Sequence, residues 1–278
     1  MITRFAPSPT GPLHLGHAYS ALVAYDMAVA AGGRFLLRIE DIDQSRARAA
    51  WEQQIYDDLQ WLGLTWEEPV MQQSDRLQDY HAALNVLWGQ GLLYPCTCSR
   101  SDIKEAMGAP QEGVDEHGPD GLIYPRTCCE ALRVGGVPPD VTLRLDLNAL
   151  PDLPLMYTEA DRGRHWASVA ELRQTTGDFV VARKDMATSY HLAVVVDDAA
   201  QGVTDVVRGA DIQDATPIHV LLQTLLNLPT PTYHHHRLIR DDNGKRLAKR
   251  DDARALSKYR AEGATPNDIR RLVGLPAA

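Results

Sequence analysis

An α/β fold built on a parallel sheet is what this sequence predicts, and three observations predict it. The opening stretch reads strand, loop, helix, strand, and Val-rich runs of the kind that fill buried parallel strands return after residue 190. The composition of the 278 residues, 44% hydrophobic and 23% charged, is that of an ordinary globular chain and excludes intrinsic disorder.

Each element follows in order. Residues 2–6 read as a short strand, proline and glycine keep 7–12 out of helix, and the Ala-rich 18–31 run stops at Gly32-Gly33. The apolar 35–39 run is then a buried strand, completing a βαβ unit with a right-handed crossover. Ligand sites in such sheets form at the carboxyl ends of the strands. Trp51, Ile55, Leu59 and Leu62 recur at helical spacing, and 77–87 continues as helix. The pattern breaks at 108–121, a Gly/Pro-rich acidic stretch that reads as a mobile loop. Strands are expected at 141–147, 178–183, 190–196 and 203–207, so the main sheet resumes. These signals divide the chain into a first sheet half at 1–95, an insertion at 96–175, a second sheet half at 176–230, and a late loop with a short helical tail at 231–278.

No run approaches the roughly 18 to 20 uncharged apolar residues of a membrane span, and the N-terminus lacks the charged-then-apolar order of a signal peptide. A cytoplasmic protein with no membrane partner is expected. Lys plus Arg number 28 against 37 Asp plus Glu, a net charge of −9, which argues against a nucleic-acid binder held by a wholly basic surface. The charge is uneven, however. Between His234 and Arg260 nine basic residues stand against four acidic ones, a local +5 that leaves −14 elsewhere. An acidic body with one basic strip suits docking to a single RNA feature, with limited salt dependence.

The segment Pro7-Ser8-Pro9-Thr10-Gly11-Pro12-Leu13-His14-Leu15-Gly16-His17 lies between the first strand and the first helix. Backbone N–H groups at a helix start favour phosphate, and Gly16 permits close approach of a ligand. His14 and His17 can donate hydrogen bonds to a phosphate that gains charge during reaction. A second segment, Asp241-Asp242-Asn243-Gly244-Lys245-Arg246-Leu247-Ala248-Lys249-Arg250, is a tight polar turn followed by clustered cations. Cys96-x-Cys98 and Cys128, three of the four cysteines, group as metal ligands and not as a disulfide scaffold. Tetrahedral zinc needs a fourth donor, for which Cys129, His117 and Tyr124 are candidates.

Together the two segments resemble the paired signatures of class I aminoacyl-tRNA synthetases, His-x-Gly-His early and Lys-Met-Ser-Lys-Ser late. The late one reads here Arg246-Leu247-Ala248-Lys249-Arg250. Arg4-Phe5-Ala6-Pro7-Ser8-Pro9-Thr10-Gly11 and Arg38-Ile39-Glu40-Asp41-Ile42-Asp43 resemble the glutamate-specific branch of that class. So do Gly177-Asp178-Phe179, Tyr190-His191-Leu192-Ala193 and Val207-Arg208-Gly209-Ala210-Asp211.

The resemblance implies a Rossmann-type catalytic domain in which L-glutamate and ATP, with Mg²⁺, give glutamyl-adenylate and pyrophosphate before glutamate passes to an RNA hydroxyl. Such an in-line displacement is catalysed by positioning and charge stabilisation and needs no protein nucleophile. It implies ATP contacts from His14, Gly16, His17, Arg246 and Lys249, of which His14, His17 and Lys249 are catalytic. Arg246 keeps the charge of the family's first lysine, whereas Ala248 lacks the usual serine's hydroxyl. Glutamate demands a cation for each carboxylate and an anion for its ammonium. The resemblance assigns Arg4 and Arg208 to the carboxylates, Glu40 to the ammonium and Tyr190 to a substrate hydrogen bond, with Phe5, Ala6, Pro7 and Ser8 in the same pocket. An arginine fork matches a carboxylate but would face an amide donor in glutamine.

Short members of this branch, the glutamyl-queuosine enzymes, show Cys-x-Cys followed by Tyr-x-x-x-Cys as a zinc site. That pattern implies Cys96, Cys98, Tyr124 and Cys128 as ligands of one structural Zn²⁺, with no position open to water. After Lys249 there is room for one or two short helices and no anticodon-binding domain, Thr265-Pro266-Asn267-Asp268 opening the last. The chain therefore resembles the shortened enzymes that attach glutamate to the queuosine base at the anticodon wobble position of tRNA(Asp). This implies a monomer, glutamate activation without tRNA, and an anticodon loop whose splayed bases are read by the catalytic domain. The alternatives are a truncated classical glutamyl-tRNA synthetase, a non-enzymatic tRNA-binding paralogue and a general nucleotidyltransferase. Tyr124 in the zinc pattern disfavours the first, and the glutamate set disfavours the other two.

Overall fold

A computed structural model describes residues 1–107, 116–131, 136–240 and 254–277. They form two units, Met1–Asp75 with Gly202–Asp211 and Pro231–Ala278, and Arg76–Gln201 with Ile212–Thr230. Among the described residues no helix is long and apolar enough to cross a membrane.

The first unit is the expected parallel arrangement. Strand Ile2–Phe5 pairs in parallel with Arg34–Ile39, Phe5 opposite Leu37, and helix Leu15–Ala30 makes the crossover. Met71–Gln72 extends the sheet beside Arg34–Ile39. On the other side, Thr204 N–H donates to Ile2 O at 3.0 Å, which sets strand Asp205–Gly209 next to Ile2–Phe5; Thr232–His236 then pairs with Asp205–Gly209 in parallel. Ala18, Ala21, Ala24 and Ala28 are buried on one side of the crossover helix, small enough to let it lie close on the sheet, and Thr3 Oγ1 donates to Ala24 O at 2.8 Å. Phe35, Leu37, Ile39, Ile55, Leu59, Val207, Leu256 and Ile269 complete the core. Each large apolar side chain contributes about 1.5–3 kcal/mol on full burial. The last helix, Pro266–Leu272, opens with a capping box as expected: Asp268 N–H donates to Thr265 Oγ1 at 3.2 Å and Thr265 N–H to Asp268 Oδ2 at 2.8 Å.

One core position is costly at neutral pH. Asp58, on helix Ala49–Trp61, is fully buried with Arg260 no nearer than 3.8 Å, and burial pushes its carboxyl from 3.8 up to about 6. The folded chain thus binds this proton more tightly than the unfolded chain does. Its contribution is fully present below the unfolded value and is lost as pH rises through about 6. Asp58→Asn should therefore gain about 3 kcal/mol in urea titrations above neutrality and little near pH 4. An equal gain at both pH values would separate the effect from ionisation.

The second unit departs from expectation. The 178–183 run does not rejoin a parallel sheet: strand Val180–Ala182 pairs antiparallel with Leu143–Leu145, which pairs antiparallel with Leu93–Pro95. The 190–196 run, expected as a strand, is the helix Tyr190–Ala200, capped by Ser189 Oγ accepting from Leu192 N–H at 3.3 Å. Its residues 191–195 are all buried, so the run lacks the one-sided period that marks a surface helix and reads like a buried strand. Tyr80 OH, from helix Leu77–Gly89, ties it down by donating to Asp197 Oδ2 at 2.9 Å. Within the stretch expected as a loop, His117–Gly118 and Gly121–Leu122 form a short hairpin; 108–115 lie outside the described residues.

Candidate active site and metal centre

The His-x-Gly-His turn forms the head of helix Leu15–Ala30 in an uncommon way. His14 is the N-cap: its Nδ1 accepts from Gly16 N–H at 3.1 Å, while its own backbone N–H donates to His17 Nδ1 at 3.2 Å. The two rings lie 3.9 Å apart. Because both Nδ1 atoms accept, both rings are neutral and carry their proton on Nε2. The cap thereby makes each histidine a fixed hydrogen-bond donor beside the helix N-terminus. Gly16 has a second use that the sequence did not reveal: a Cβ there would sit 3.0 Å from His14 Cε1, tighter than ordinary contact, so glycine keeps the capping ring in place.

The loop that leads into this turn is tied to the segment after a neighbouring parallel strand. Glu40 N–H donates to Pro7 O at 3.0 Å, and Arg48 N–H to Pro9 O at 3.0 Å, which holds the Pro7-Ser8-Pro9 loop against the end of Arg34–Ile39. Arg38, fully buried, donates to Glu40 Oε1 at 3.1 Å and orients that carboxylate. Phe5 is buried at the end of its strand, and Ala6 follows it. Arg4 is buried and donates to Val207 O at 3.3 Å. On the neighbouring strand Arg208 is buried, its Nε donating to His235 Nε2 at 2.9 Å and its guanidinium 5.0 Å from the centre of the Tyr233 ring. Arg4 and Arg208 thus lie in strands Ile2–Phe5 and Asp205–Gly209, and Glu40 directly follows strand Arg34–Ile39. Arg38 stands two residues before Glu40 in the motif already read from the sequence, whereas His235 had no signal there, since it reaches Arg208 through the pairing of strands Asp205–Gly209 and Thr232–His236.

Arg246 and Lys249 lie outside the described residues. Among the described residues, Ala255 forms a bridge with His14, and Leu256 N–H donates to Leu13 O at 2.8 Å. Tyr190 belongs to the second unit, as the first residue of its helix. Its ring packs edgewise on His191 and His219 at 5.4 and 5.9 Å, and those two imidazoles hydrogen-bond at 3.0 Å, with Asp120 Oδ1 3.2 Å from His191 Nε2.

The cysteine cluster assembles as the spacing suggests. The Sγ atoms of Cys96, Cys98 and Cys128 all lie within 4.8 Å of one another, and Cys98 and Cys128 are 3.4 Å apart. Tyr124 Oη is 3.4 Å from both Cys96 Sγ and Cys98 Sγ, and accepts from Cys128 N–H at 2.9 Å. Neither His117 nor Cys129 belongs to this cluster of close donors. Three soft sulfurs and one oxygen with these separations fit the edges of a zinc tetrahedron, about 3.7 Å for metal–sulfur bonds near 2.3 Å. The turn between Tyr124 and Cys128 closes through Arg126, whose φ of 63° is left-handed. That conformation costs on the order of 1 kcal/mol, and ion pairs from Arg126 to Asp146 at 3.0 Å and to Asp178 hold it.

Arg144 completes the surroundings by donating from Nε to Cys96 Sγ at 3.3 Å, with its guanidinium 3.7 Å from the centre of the Tyr124 ring. Burial opposes ionisation of Cys128, but hydrogen bonds from Tyr124, the Thr97 backbone and the other two thiols bring its thiol down to about 7. Burial, joined by hydrogen bonds with the cysteines, pushes the Tyr124 phenol well above the usual tyrosine range.

Comparison with known proteins agrees with this construction. Residues 1–124 and 160–276 match the family model of the class I tRNA synthetases (E and Q), catalytic domain. A Glutamyl-Q tRNA(Asp) synthetase from Rhodobacter capsulatus is 61% identical over 279 residues, covering 99% of this chain and 100% of that protein. The protein of the same name from Geobacter sulfurreducens is 42% identical over 94% of this chain and 79% of its own length. Among solved structures, a glutamate tRNA ligase from Elizabethkingia meningosepticum, crystallised in complex with its amino acid, superposes with a TM-score of 0.75 at 26% identity. That match covers 98% of this chain, which spans 60% of the ligase. Identity of this order from end to end, together with the family match, places the chain in a family: it belongs to the class I tRNA synthetases of the E and Q type and, within them, to the Glutamyl-Q tRNA(Asp) synthetases, and is a ligase.

Proposed function

We propose that this enzyme activates L-glutamate with MgATP, without requiring tRNA, and transfers the glutamyl group to the queuosine base at the anticodon wobble position of tRNA(Asp). The observation that carries the chemistry is the histidine cap, two neutral rings whose Nε2–H groups are fixed as donors beside a helix N-terminus. The substrate's α-carboxylate oxygen attacks the α-phosphorus of ATP, a P–O bond forms, and the bond to pyrophosphate breaks. Charge then builds on phosphate oxygens, where His14 and His17 donate hydrogen bonds and Gly16, Arg246 and Lys249 bind the nucleotide. Mg²⁺ enters with ATP as part of that substrate.

Arg4 and Arg208 hold the two carboxylates, Glu40 the ammonium, and Tyr190 donates or accepts one further hydrogen bond, within walls formed by Phe5, Ala6, Pro7 and Ser8. In the second step a queuosine hydroxyl attacks the acyl carbon, gives up its proton, and AMP leaves. The name of the 61% identical relative, Glutamyl-Q tRNA(Asp) synthetase, supports tRNA(Asp) as the RNA.

Cys96, Cys98, Tyr124 and Cys128 would hold one structural Zn²⁺, which neutralises thiolate charge and cross-links the strand end to the Tyr124–Cys128 turn. Cys98→Ser should lose the metal and Cys129→Ser should keep one zinc per chain, as read by elemental analysis of the purified proteins. Retention of zinc by Cys98→Ser would overturn the ligand set.

Glutamate-dependent exchange between ATP and pyrophosphate without RNA, followed by transfer to tRNA(Asp) with and without queuosine, tests the whole reading. Exchange without RNA and transfer only to the queuosine-bearing tRNA are expected. Absence of exchange would overturn the activation step, and transfer to tRNA lacking queuosine would overturn the target.

A further inference from the structure

The antiparallel ribbon of strands Pro154–Glu159 and Gly163–Ser168, in the second unit, places Met156 opposite Trp166 and Thr158 opposite Arg164. Alternate residues of a strand share a face, so these four line one side. Leu155 and Glu159, on the other side, are buried, and Tyr157 and His165 stack there at 5.7 Å. The outward side carries the largest apolar exposure of the ribbon: Trp166 is 65% exposed and Met156 47%. A ribbon with polar alternatives open to it places an indole and a thioether in solvent beside a cation.

That cation is not spent on a neighbour. Among the described residues Arg164 has no carboxylate partner, and the ribbon's ion pair, Arg162 with Asp161 at 3.5 Å, sits at the turn. The outward face therefore bears positive charge and no acid, on a chain whose net charge is −9. A flat π surface next to a guanidinium matches an unpaired nucleobase joined to its phosphate: every base offers a face for stacking, and the arginine fork meets the phosphate. Two apolar side chains fall far short of the roughly 800 Å² per partner that a stable protein–protein interface buries, which disfavours a second copy or another protein.

We propose that this face is a stacking platform for one unpaired base of the RNA substrate, with Trp166 taking the base, Met156 flanking it and Arg164 meeting the adjacent phosphate. The proposal rests on the tRNA reading above and adds the place where a splayed base is received.

The test is Trp166→Ala in the full chain, with affinity for the anticodon stem-loop of queuosine-bearing tRNA(Asp) measured by fluorescence anisotropy of labelled RNA. Loss of one base stack should weaken binding about 5- to 100-fold, and Trp166→Phe should recover most of it. Arg164→Gln should lower the salt dependence of binding by about one phosphate contact. Glutamate-dependent pyrophosphate exchange without RNA should be unchanged in all three, which also certifies the fold. Wild-type RNA affinity in Trp166→Ala would overturn the platform while leaving the tRNA reading intact. A change confined to self-association or to binding of anionic vesicles would overturn it in favour of a protein or lipid contact. Failure of the unmutated enzyme to transfer glutamate to any tRNA would overturn the underlying reading instead.

Discussion

Arg208→Gln should raise the glutamate concentration that half-saturates pyrophosphate exchange by about 10²- to 10³-fold, the loss typical of one preorganised charge contact, while the half-saturating ATP concentration stays where it is. Arg208 is only 6% exposed. Its Nε–H is committed to His235 Nε2 and its guanidinium lies near the Tyr233 ring, so an imidazole and a phenol ring fix the direction of the fork before substrate arrives. An imidazole that accepts on Nε2 must carry its proton on Nδ1, and hence must be neutral. Glutamine at position 208 keeps a polar group but removes the charge and the fork, which leaves a carboxylate buried without a partner. Arg208→Lys should fall between the two, because a point charge remains without bidentate geometry. Exchange rates titrated separately in glutamate and in ATP check this. A parallel loss in both substrates would mark a collapsed fold, and unchanged glutamate dependence would remove Arg208 from the carboxylate site.

Asp178→Ala should cost about 3–5 kcal/mol of stability, the usual consequence of removing one partner from a buried charged network. Asp178 is 2% exposed; its carboxylate accepts from Tyr94 OH at 2.7 Å and Leu147 N–H at 2.9 Å and pairs with Arg126. Its backbone carbonyl accepts from Arg144 Nη1 at 2.8 Å, and Arg144 in turn reaches Cys96 and Tyr124. Burial pushes this carboxyl up, and the bonds from Tyr94 and Leu147 with the charge of Arg126 pull against it. Truncation strands a tyrosine hydroxyl and leaves Arg126, the left-handed residue that closes the Tyr124–Cys128 turn, with Asp146 alone of its two carboxylates. Zinc affinity, measured by competition with a chromophoric chelator, should therefore drop together with the urea midpoint. Asp178→Asn, which still accepts from Leu147, should lose less of both. A loss below about 1 kcal/mol in the alanine variant would show that the network relaxes onto water.

The first unit was legible in the sequence because its signals are local. Glycine and proline punctuate 7–12 and 32–33, and a buried strand and an Ala-rich helix alternate over a few dozen residues. The second unit misled for an equally definite reason. Tyr190–Ala200 is surrounded on nearly every side, so neither its apolar run nor its β-branched Val194, Val195 and Val196 shows a helical face; the Ser189 cap and the packing around it override that local preference. The 178–183 run was read as a strand correctly in its core, but its antiparallel partner Leu143–Leu145 is set by tertiary pairing that no local pattern encodes.

By itself, then, the sequence determined which chemistry-bearing residues exist and in what spacing: the His-x-Gly-His turn, the buried cations Arg4 and Arg208, and the Cys-x-Cys with Tyr-x-x-x-Cys grouping. Spacing is a local property, carried by neighbours along the chain. Only the tertiary structure decided which atoms of these residues face one another. It put both histidine protons on Nε2 by using both Nδ1 atoms as caps, set the Arg208 fork with His235, and brought Tyr124 rather than Cys129 onto the three thiols. Tautomer, orientation and the place of Tyr124 beside the thiols all depend on hydrogen bonds whose partners are chosen in three dimensions.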